Sequence, residues 1–97
     1  IYNGTSDDLR SFHIKGSKIK VYITAESLTP DTSLKGEIYG SDGIVSSDDL
    51  TWEGGDSSLK AMSLQSQVQP GSYAVNIDIP DTPANQLKWT VQVFDYY

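Results

Sequence analysis

The chain has 97 residues, a formal net charge of −6 and no cysteine. That length suits one domain with a single hydrophobic core, which we expect to span residues 1–97. The negative charge argues against a nucleic-acid or anionic-membrane partner, and the lack of cysteine excludes disulfides and thiolate chemistry. No run of about 18 apolar residues occurs, so we expect no membrane span.

Serine, threonine, asparagine, aspartate and glycine are abundant, and strong helix formers are scattered. This composition is typical of short strands joined by polar turns. The chain also begins at Ile1 rather than methionine, as it would after removal of a signal peptide or excision of a domain. We therefore expect an exported β domain, secreted or on the cell surface.

The first quarter of the chain contains a lead-in and two predicted strands. Residues 1–8 read as an irregular segment, and the Asn-Gly-Thr triplet at 3–5 matches a glycosylation pattern but is better explained as a glycine turn. Alternation of apolar and polar side chains predicts strands over 9–14 and 18–25. The second strand has lysines on one face, so that face is solvated, as is typical of antiparallel sheets.

The middle of the chain is predicted to be a hairpin followed by a long loop. Residues 33–39 alternate, and Gly36 within them indicates a bulge or a close approach by a neighbour. The Asp-Gly pair at 42–43 predicts a tight turn, because glycine tolerates the positive φ that such a turn needs. Residues 46–58 are polar and irregular, which predicts a loop that holds only a short strand at 50–52.

Three further strands are predicted in the last part of the chain. Residues 59–65 fit either a helix or a strand, and the β-rich context favours a strand. The clearest alternation covers 73–79, after a Pro-Gly turn at 70–71. The last strand, 87–94, places Trp89 among the inward residues.

Seven or eight short strands separated by turns indicate an all-β antiparallel sandwich. Turns or loops containing proline are predicted at 27–32 and 81–86. No helix long enough for a parallel crossover intervenes, so the strand pairing should be antiparallel.

Residues 68–75, read Val-Gln-Pro-Gly-Ser-Tyr-Ala-Val, resemble the turn-and-tyrosine segment of immunoglobulin-like and fibronectin-type modules. With the Asp-Gly pair and a closing strand, roughly the last two-thirds of the chain looks like bacterial extracellular immunoglobulin-like modules. The resemblance implies an immunoglobulin-like sandwich in which the Tyr73 hydroxyl hydrogen-bonds back to the preceding turn. Such modules are spacers, adhesive units or parts of small secreted proteins, which implies a non-catalytic role.

The residues that could support catalysis are few. His13 is the single histidine, and its place opposite Phe12 and Ile14 favours a solvated position over a catalytic triad. The chain has no Gly-x-Ser-x-Gly elbow. The acids that could pair as in a glycosidase share one polar loop, with no apolar pocket to raise a carboxyl pKa. We predict a protein that is not an enzyme and has no cofactor.

The same acids raise the question of a Ca²⁺ site, because Ca²⁺ takes several oxygen ligands. Five acids fall within fifteen residues: Asp42, Asp48, Asp49, Glu53 and Asp56. Their spacing does not match an EF-hand. A charged, mobile loop with weak metal affinity is the preferred interpretation, and we assign no metal ligand.

Aromatic side chains raise the question of sugar binding, since flat rings stack on sugar faces. Trp52 is the main candidate because it lies in the predicted polar loop. Tyr22 and Tyr39 fall on the polar faces of their strands and would form an exposed platform if those strands were neighbours. Cross-strand packing explains the same two tyrosines equally well.

Charge is segregated along the chain. Residues 9–25 hold four of the seven cationic side chains and no acid. The charged residues of 42–56 are all acids. Such asymmetry could steer contacts between copies or with a partner. The leading hypothesis is a non-enzymatic β-sandwich domain that acts by contact with a protein or polysaccharide surface. One alternative is a carbohydrate-binding module that uses Trp52, Tyr22 and Tyr39, and another is a small hydrolase.

Overall fold

The computed structural model of the chain describes residues 2–5, 7–28, 32–55, 58–79 and 87–96. Within these ranges the chain forms eight strands: β1 (Tyr2–Gly4), β2 (Asp8–Ile14), β3 (Lys18–Ser27), β4 (Thr32–Gly40), β5 (Gly43–Trp52), β6 (Leu59–Gln67), β7 (Gly71–Asp78) and β8 (Leu87–Tyr96). The prediction of an all-β fold with seven or eight strands is confirmed. The turn predicted around Pro30 and the loop predicted at 81–86 lie outside the described residues.

The strands form two four-stranded antiparallel sheets. Sheet A has the order β1-β8-β3-β6 and sheet B has the order β2-β7-β4-β5. The β4–β5 hairpin is the turning point of the chain, and the strands on either side of it pair in succession: β4 with β5, β3 with β6, β2 with β7 and β1 with β8. A chain folded in half in this way and wrapped into two sheets is a jelly roll.

This strand order differs from that of an immunoglobulin domain. There the strands divide as A-B-E-D and C-F-G, so that the first two strands lie in one sheet. Here successive strands alternate between the sheets everywhere except at the β4–β5 hairpin. The sandwich is therefore as predicted, and the immunoglobulin-like topology is not confirmed. Among the described residues there is no helix that is long and apolar enough to cross a membrane.

The core lies between the two sheets and is formed by alternate residues of the strands. The largest fully buried side chains are Ile14, Ile19, Val21, Ile23, Leu34, Ile38, Val75, Ile77, Leu87 and Val91. Burial of each such side chain contributes on the order of 1.5–3 kcal/mol before the conformational entropy is subtracted. Trp89 is buried among them, as predicted.

Two glycines allow close packing between elements. A Cβ on Gly36 would lie 2.6 Å from Cδ1 of Ile23, so the close approach predicted at this position is confirmed. A Cβ on Gly4 would lie 2.7 Å from the ring of Trp89. Gly4 thus belongs to a strand that packs on the tryptophan, and the irregular lead-in and glycine turn predicted there are wrong.

The hairpin predicted at the Asp-Gly pair is confirmed. Gly43 has a φ of 115°, which favours glycine, and it pairs with Gly40 across a two-residue turn. The register then shifts, because Ile38 pairs with Ser46 and Tyr39 with Ile44. This β-bulge leaves Val45 as the extra residue of β5.

The long loop predicted at 46–58 is wrong over its first half. Strand β5 continues without a break to Trp52, and Asp48 and Asp49 lie on it. The strand lies at the edge of sheet B and pairs only with β4, so both of its faces can carry polar residues while the backbone still forms its ladder. The polar composition therefore concealed a strand.

Candidate contact surface

Three exposed aromatic side chains lie on the outer face of sheet A. Tyr22 of β3 is 39% exposed, and Phe94 and Tyr96 of β8 are 43% and 44% exposed. Their alternate neighbours Val21 and Val93 point into the sandwich. We call these three residues the aromatic row.

The register between β3 and β8 explains why the three rings share a face. Tyr22 pairs with Gln92, Lys20 with Phe94 and Lys18 with Tyr96, and paired residues project to the same side of a sheet. Phe94 is therefore diagonal to Tyr22, and the Cα atoms of such a pair are about 7–8 Å apart. Tyr96 lies two residues further along β8, so its Cα atom is about 6.5–7 Å from that of Phe94. The rings thus form an oblique row across the sheet.

Polar side chains from β6 flank the aromatic row. Ser63, Gln65 and Gln67 are exposed and pair with Tyr22, Lys20 and Lys18 respectively. Each glutamine amide offers both donors and an acceptor. The Lys18 ammonium lies 5.3 Å from the centroid of the Tyr96 ring, within the range of a cation–π interaction. The outer face of sheet A therefore combines ring planes with hydrogen-bonding groups.

One end of the row opens into a depression lined by Ser17, Lys18, Gln67, Val68, Gln69 and Tyr96. Its rim is fixed by backbone hydrogen bonds from Ser17 N to Tyr96 O, at 3.1 Å, and from Val68 N to Ser17 O, at 2.9 Å. The Asp95 carboxylate accepts two further backbone N–H groups, from Lys15 at 2.8 Å and Gly16 at 3.0 Å. The turn before β3 is thus tied to the end of β8.

Trp52 is buried and cannot serve as an exposed contact residue. It is 2% exposed and lies on β5, where it shares the inward side with Leu50. Its indole Nε1–H donates to the Ser58 carbonyl oxygen at 2.8 Å. The expectation that Trp52 stacks on a ligand from a polar loop is therefore wrong. Its alternation with Leu50 was the signal for burial, and the polar neighbours obscured it.

Tyr22 and Tyr39 do not form a platform. Tyr22 lies on the outer face of sheet A, whereas Tyr39 lies on the outer face of sheet B with Lys35 and Glu37. The condition for a shared platform, that the two strands are neighbours, is not met, because β3 and β4 belong to different sheets. Desolvation and the neighbouring Glu37 carboxylate raise the pKa of Tyr39. The neighbours of Tyr22 are instead Phe94 and Tyr96, which the sequence analysis did not select.

A signal for Phe94 and Tyr96 was present in the sequence. The outward series Lys88, Thr90 and Gln92 continues at the same spacing of two through both aromatic residues. The predicted strand stopped at residue 94, whereas β8 extends to Tyr96. Carrying the alternation to the end of the strand would have placed both rings outward.

The two outer faces differ in charge. The outer face of sheet A carries three lysines and one acid: Lys18, Lys20, Lys88 and Glu26. The outer face of sheet B carries one lysine and three acids: Lys35, Glu37, Asp49 and Asp78. Glu37 is only 6% exposed, accepts a hydrogen bond from Asn76 Nδ2 at 3.2 Å and lies 4.0 Å from the Lys35 ammonium. Of the residues segregated along the sequence, Lys18 and Lys20 lie on the first face and Asp49 lies on the second.

The groups considered for catalysis and metal binding are dispersed. His13 is exposed on β2 and pairs with Ser72. Asp42, Asp48, Asp49 and Glu53 are exposed, and Asp56 lies outside the described residues. In the part of the chain that the structure describes, no three acidic or histidine side chains are grouped so that they could hold a metal ion.

No protein-family model matches this sequence, and comparison with curated proteins and with solved structures gave no significant match.

Proposed function

We propose that this chain is a non-enzymatic domain, secreted or on the cell surface, that acts by contact through the outer face of sheet A. The observation that carries the proposal is the aromatic row of Tyr22, Phe94 and Tyr96, each about two-fifths exposed on one sheet face. Single exposed apolar residues are ordinary on protein surfaces, whereas a cluster on one face is a feature of contact sites. The extracellular location rests on the composition of the chain.

The chemistry of the face supports contact with a partner. Tyrosine and phenylalanine bury a large area and lose little side-chain entropy when they are fixed, since each has two χ angles. The flanking amides of Gln65, Gln67 and Gln92 supply hydrogen bonds in either direction. Lys18 and Lys20 add positive charge, which favours an acidic partner surface.

The backbone beneath the face supports the same proposal. Strands β3 and β8 are paired over their whole lengths, from Lys18–Tyr96 to Ser27–Leu87, and β3 also pairs with β6. The rings are therefore mounted on a rigid sheet and not on a loop. Binding to such a surface costs little ordering of the backbone.

A second candidate function is carbohydrate binding, and the depression beside Tyr96 is the specific observation in its favour. The Tyr96 ring there stands next to the Lys18 ammonium and the side chains of Gln67 and Gln69. A ring plane beside amide and ammonium donors suits a sugar, which offers an apolar face and hydroxyl acceptors. None of the predicted set of Trp52, Tyr22 and Tyr39 lines this depression.

The test is a binding comparison with single alanine variants. The immobilised chain is probed with a glycan array, with insoluble polysaccharides and with the extracellular proteins of the source cells. We expect Phe94→Ala and Tyr96→Ala to weaken binding by about tenfold or more, as at interface hot spots. Tyr39→Ala is the matched control, because it removes an aromatic ring from the opposite outer face.

The outcomes separate the two candidates from each other and from failure. Binding to a glycan that is lost in Tyr96→Ala favours the carbohydrate site, whereas binding to a protein that is lost in Phe94→Ala favours the protein contact. Binding that Tyr39→Ala abolishes, and the two sheet A variants leave intact, would contradict the proposal. Each variant is checked by thermal denaturation, so that loss of folding is not mistaken for loss of binding.

A further inference from the structure

We infer that two copies of this chain associate through their β6 edges, so that sheet A of one copy continues into sheet A of the other. Strand β6 is the last strand of sheet A in the described part of the chain. The outer side of an edge strand presents N–H and C=O groups that can pair with another strand. The pairing itself does not rest on the proposed function.

The other three edge strands carry features that oppose pairing. Strand β1 has only three residues. Strand β2 has Asp8 and Arg10 on its inward side, in line with Phe12 and Ile14, and the two charged groups lie 3.7 Å apart. Inward charges and short strands are both known to block the addition of a further strand.

Strand β5 is protected in two ways. It contains the β-bulge at Val45, which interrupts the regular ladder. It also places a charge on the inward side, because Asp48 pairs with Gly36 and alternates with Leu50 and Trp52. A strand that docked on this edge would meet that carboxylate.

Strand β6 is longer than β1 and has no β-bulge, and its single inward charge lies at one end. It has nine residues, contains neither proline nor glycine, and pairs with β3 in a regular register from Leu59 to Gln67. Lys60 is its one charged residue and lies on the inward side, in line with Met62 and Leu64. It stands at the start of the strand, where its Nζ donates to the Thr51 carbonyl oxygen of β5 at 2.6 Å. The rest of the edge, from Ala61 to Gln67, is uncharged.

The occupant that best fits this edge is a second β6, because the strand is self-complementary when it runs antiparallel. With Ser63 opposite its own copy, Lys60 faces Ser66, Ala61 faces Gln65 and Met62 faces Leu64. Met62 and Leu64 then meet on the inward side, with a Lys60–Ser66 pair beyond them at each end, and Ala61, Ser63 and Gln65 lie on the outer side. No like charges stand opposite each other, which would otherwise destabilise the pair.

The pairing has a defined geometry. Antiparallel strands in one sheet are related by a two-fold axis perpendicular to the sheet, so this dimer is isologous. The outer faces of both copies then lie on the same side. A partner surface would meet two aromatic rows, each of Tyr22, Phe94 and Tyr96, and could bind with avidity.

The net charge of −6 per chain sets the salt dependence. Two such chains repel, and added salt screens that repulsion. In the register described, the contact between the two β6 strands contains no ion pair that salt would weaken. We therefore expect the dimer fraction to rise with ionic strength. A dimer held by the basic outer face of sheet A against the acidic outer face of sheet B would instead dissociate in salt.

The test uses sedimentation equilibrium of the whole chain over a concentration series at low and high salt. Wild type is expected to approach twice the monomer mass of 10.6 kDa, and more so at high salt. Ser63→Lys places two ammonium groups opposite each other at the two-fold axis, which we expect to weaken association by about tenfold or more. Ser63 is exposed, so the monomer should remain folded.

A charge-swap experiment makes the test specific. Ser63→Glu alone should also be monomeric, whereas an equimolar mixture of Ser63→Lys and Ser63→Glu should restore a dimer. The matched control is Ser11→Lys, an exposed serine on the β2 edge, which should leave association unchanged. A wild-type chain that stays monomeric throughout, or a dimer that Ser63→Lys leaves intact, would overturn the inference. Phe94→Ala leaves this edge untouched, so a failure of the proposed function can be distinguished from a failure of the dimer.

Discussion

At the scale of single residues, Tyr73 shows how one side chain joins a turn to a strand. Its ring packs against the core, and its hydroxyl donates to the Gln69 carbonyl oxygen at 2.5 Å. This is the hydrogen bond that the resemblance of residues 68–75 implied. It fixes the turn before β7 although the strand order around it is that of a jelly roll. A local motif of this kind therefore predicts a contact better than it predicts a topology.

Tyr73→Phe should lower the free energy of unfolding by about 1 kcal/mol, because it removes one hydrogen bond and keeps the ring. The measurement is chemical denaturation monitored by fluorescence. Tyr22→Phe is the control, since its ring is exposed on the outer face of sheet A, and a surface change of this kind should stay within about 0.5 kcal/mol of wild type. An unchanged midpoint for Tyr73→Phe would mean that the hydrogen bond contributes nothing to stability.

Single residues also show where sequence reasoning fails. Trp52 was expected in a loop because Ser46 to Asp49 are polar, yet these residues lie on an edge strand that needs only one partner. Tyr22 was correctly placed on an outer face by its alternation with Val21 and Ile23. Its aromatic neighbours could not be assigned, because they lie on β8, about seventy residues away in the sequence.

At the scale of elements, five strands were found from their alternation and β6 from its β-rich context. Strand β1 was missed, and β5 was predicted only in part, as the return of the hairpin and a short strand at 50–52. The segments 18–25 and 73–79 bury one face each, so the period of two is plain. Strand β1 has only three residues, and β5 carries polar residues on both faces. Edge strands of this kind depend on pairing more than on their own pattern, so a local pattern does not reveal them.

Packing between the sheets gives a prediction at the same scale. A Cβ on Gly36 of β4 would lie 2.6 Å from Cδ1 of Ile23 and 2.9 Å from Cε of Met62, both on sheet A. Both atoms are the ends of side chains that can shift, so Gly36→Ala should destabilise the fold by about 1 kcal/mol, the low end of the usual cost of overpacking. The measurement is the thermal midpoint and the free energy of unfolding.

Gly54→Ala is the matched control for this change, because a Cβ there has no described atom within 4 Å. It should leave stability unchanged or slightly raised, since alanine restricts the unfolded chain. If Gly36→Ala were as stable as Gly54→Ala, the Met62 side chain would have moved away at no cost. The close packing of the two sheets at this point would then contribute little to stability.

At the scale of the whole molecule, the nesting of the strand pairs along the chain predicts the order in which they form during folding. The β4–β5 hairpin joins residues that are close in sequence, and the pairs β3·β6, β2·β7 and β1·β8 each enclose the previous pair. Loop closure is least costly for the innermost pair, and each completed pair shortens the loop that the next must close. The topology itself was beyond local reasoning, since alternation shows that a strand exists and not which strand it joins.

This nesting predicts how two substitutions divide between folding and unfolding rates. Gly43 has a φ of 115°, so Gly43→Ala strains the innermost turn and should slow folding. Tyr2 belongs to the outermost pair and packs edge-on against Trp89 at 5.7 Å, so Tyr2→Ala should mainly speed unfolding. Stopped-flow chevron plots of wild type and both variants measure the two rates. A Gly43→Ala chevron that changes only in its unfolding arm would show that the hairpin forms after the transition state, and that the chain assembles from other strand pairs.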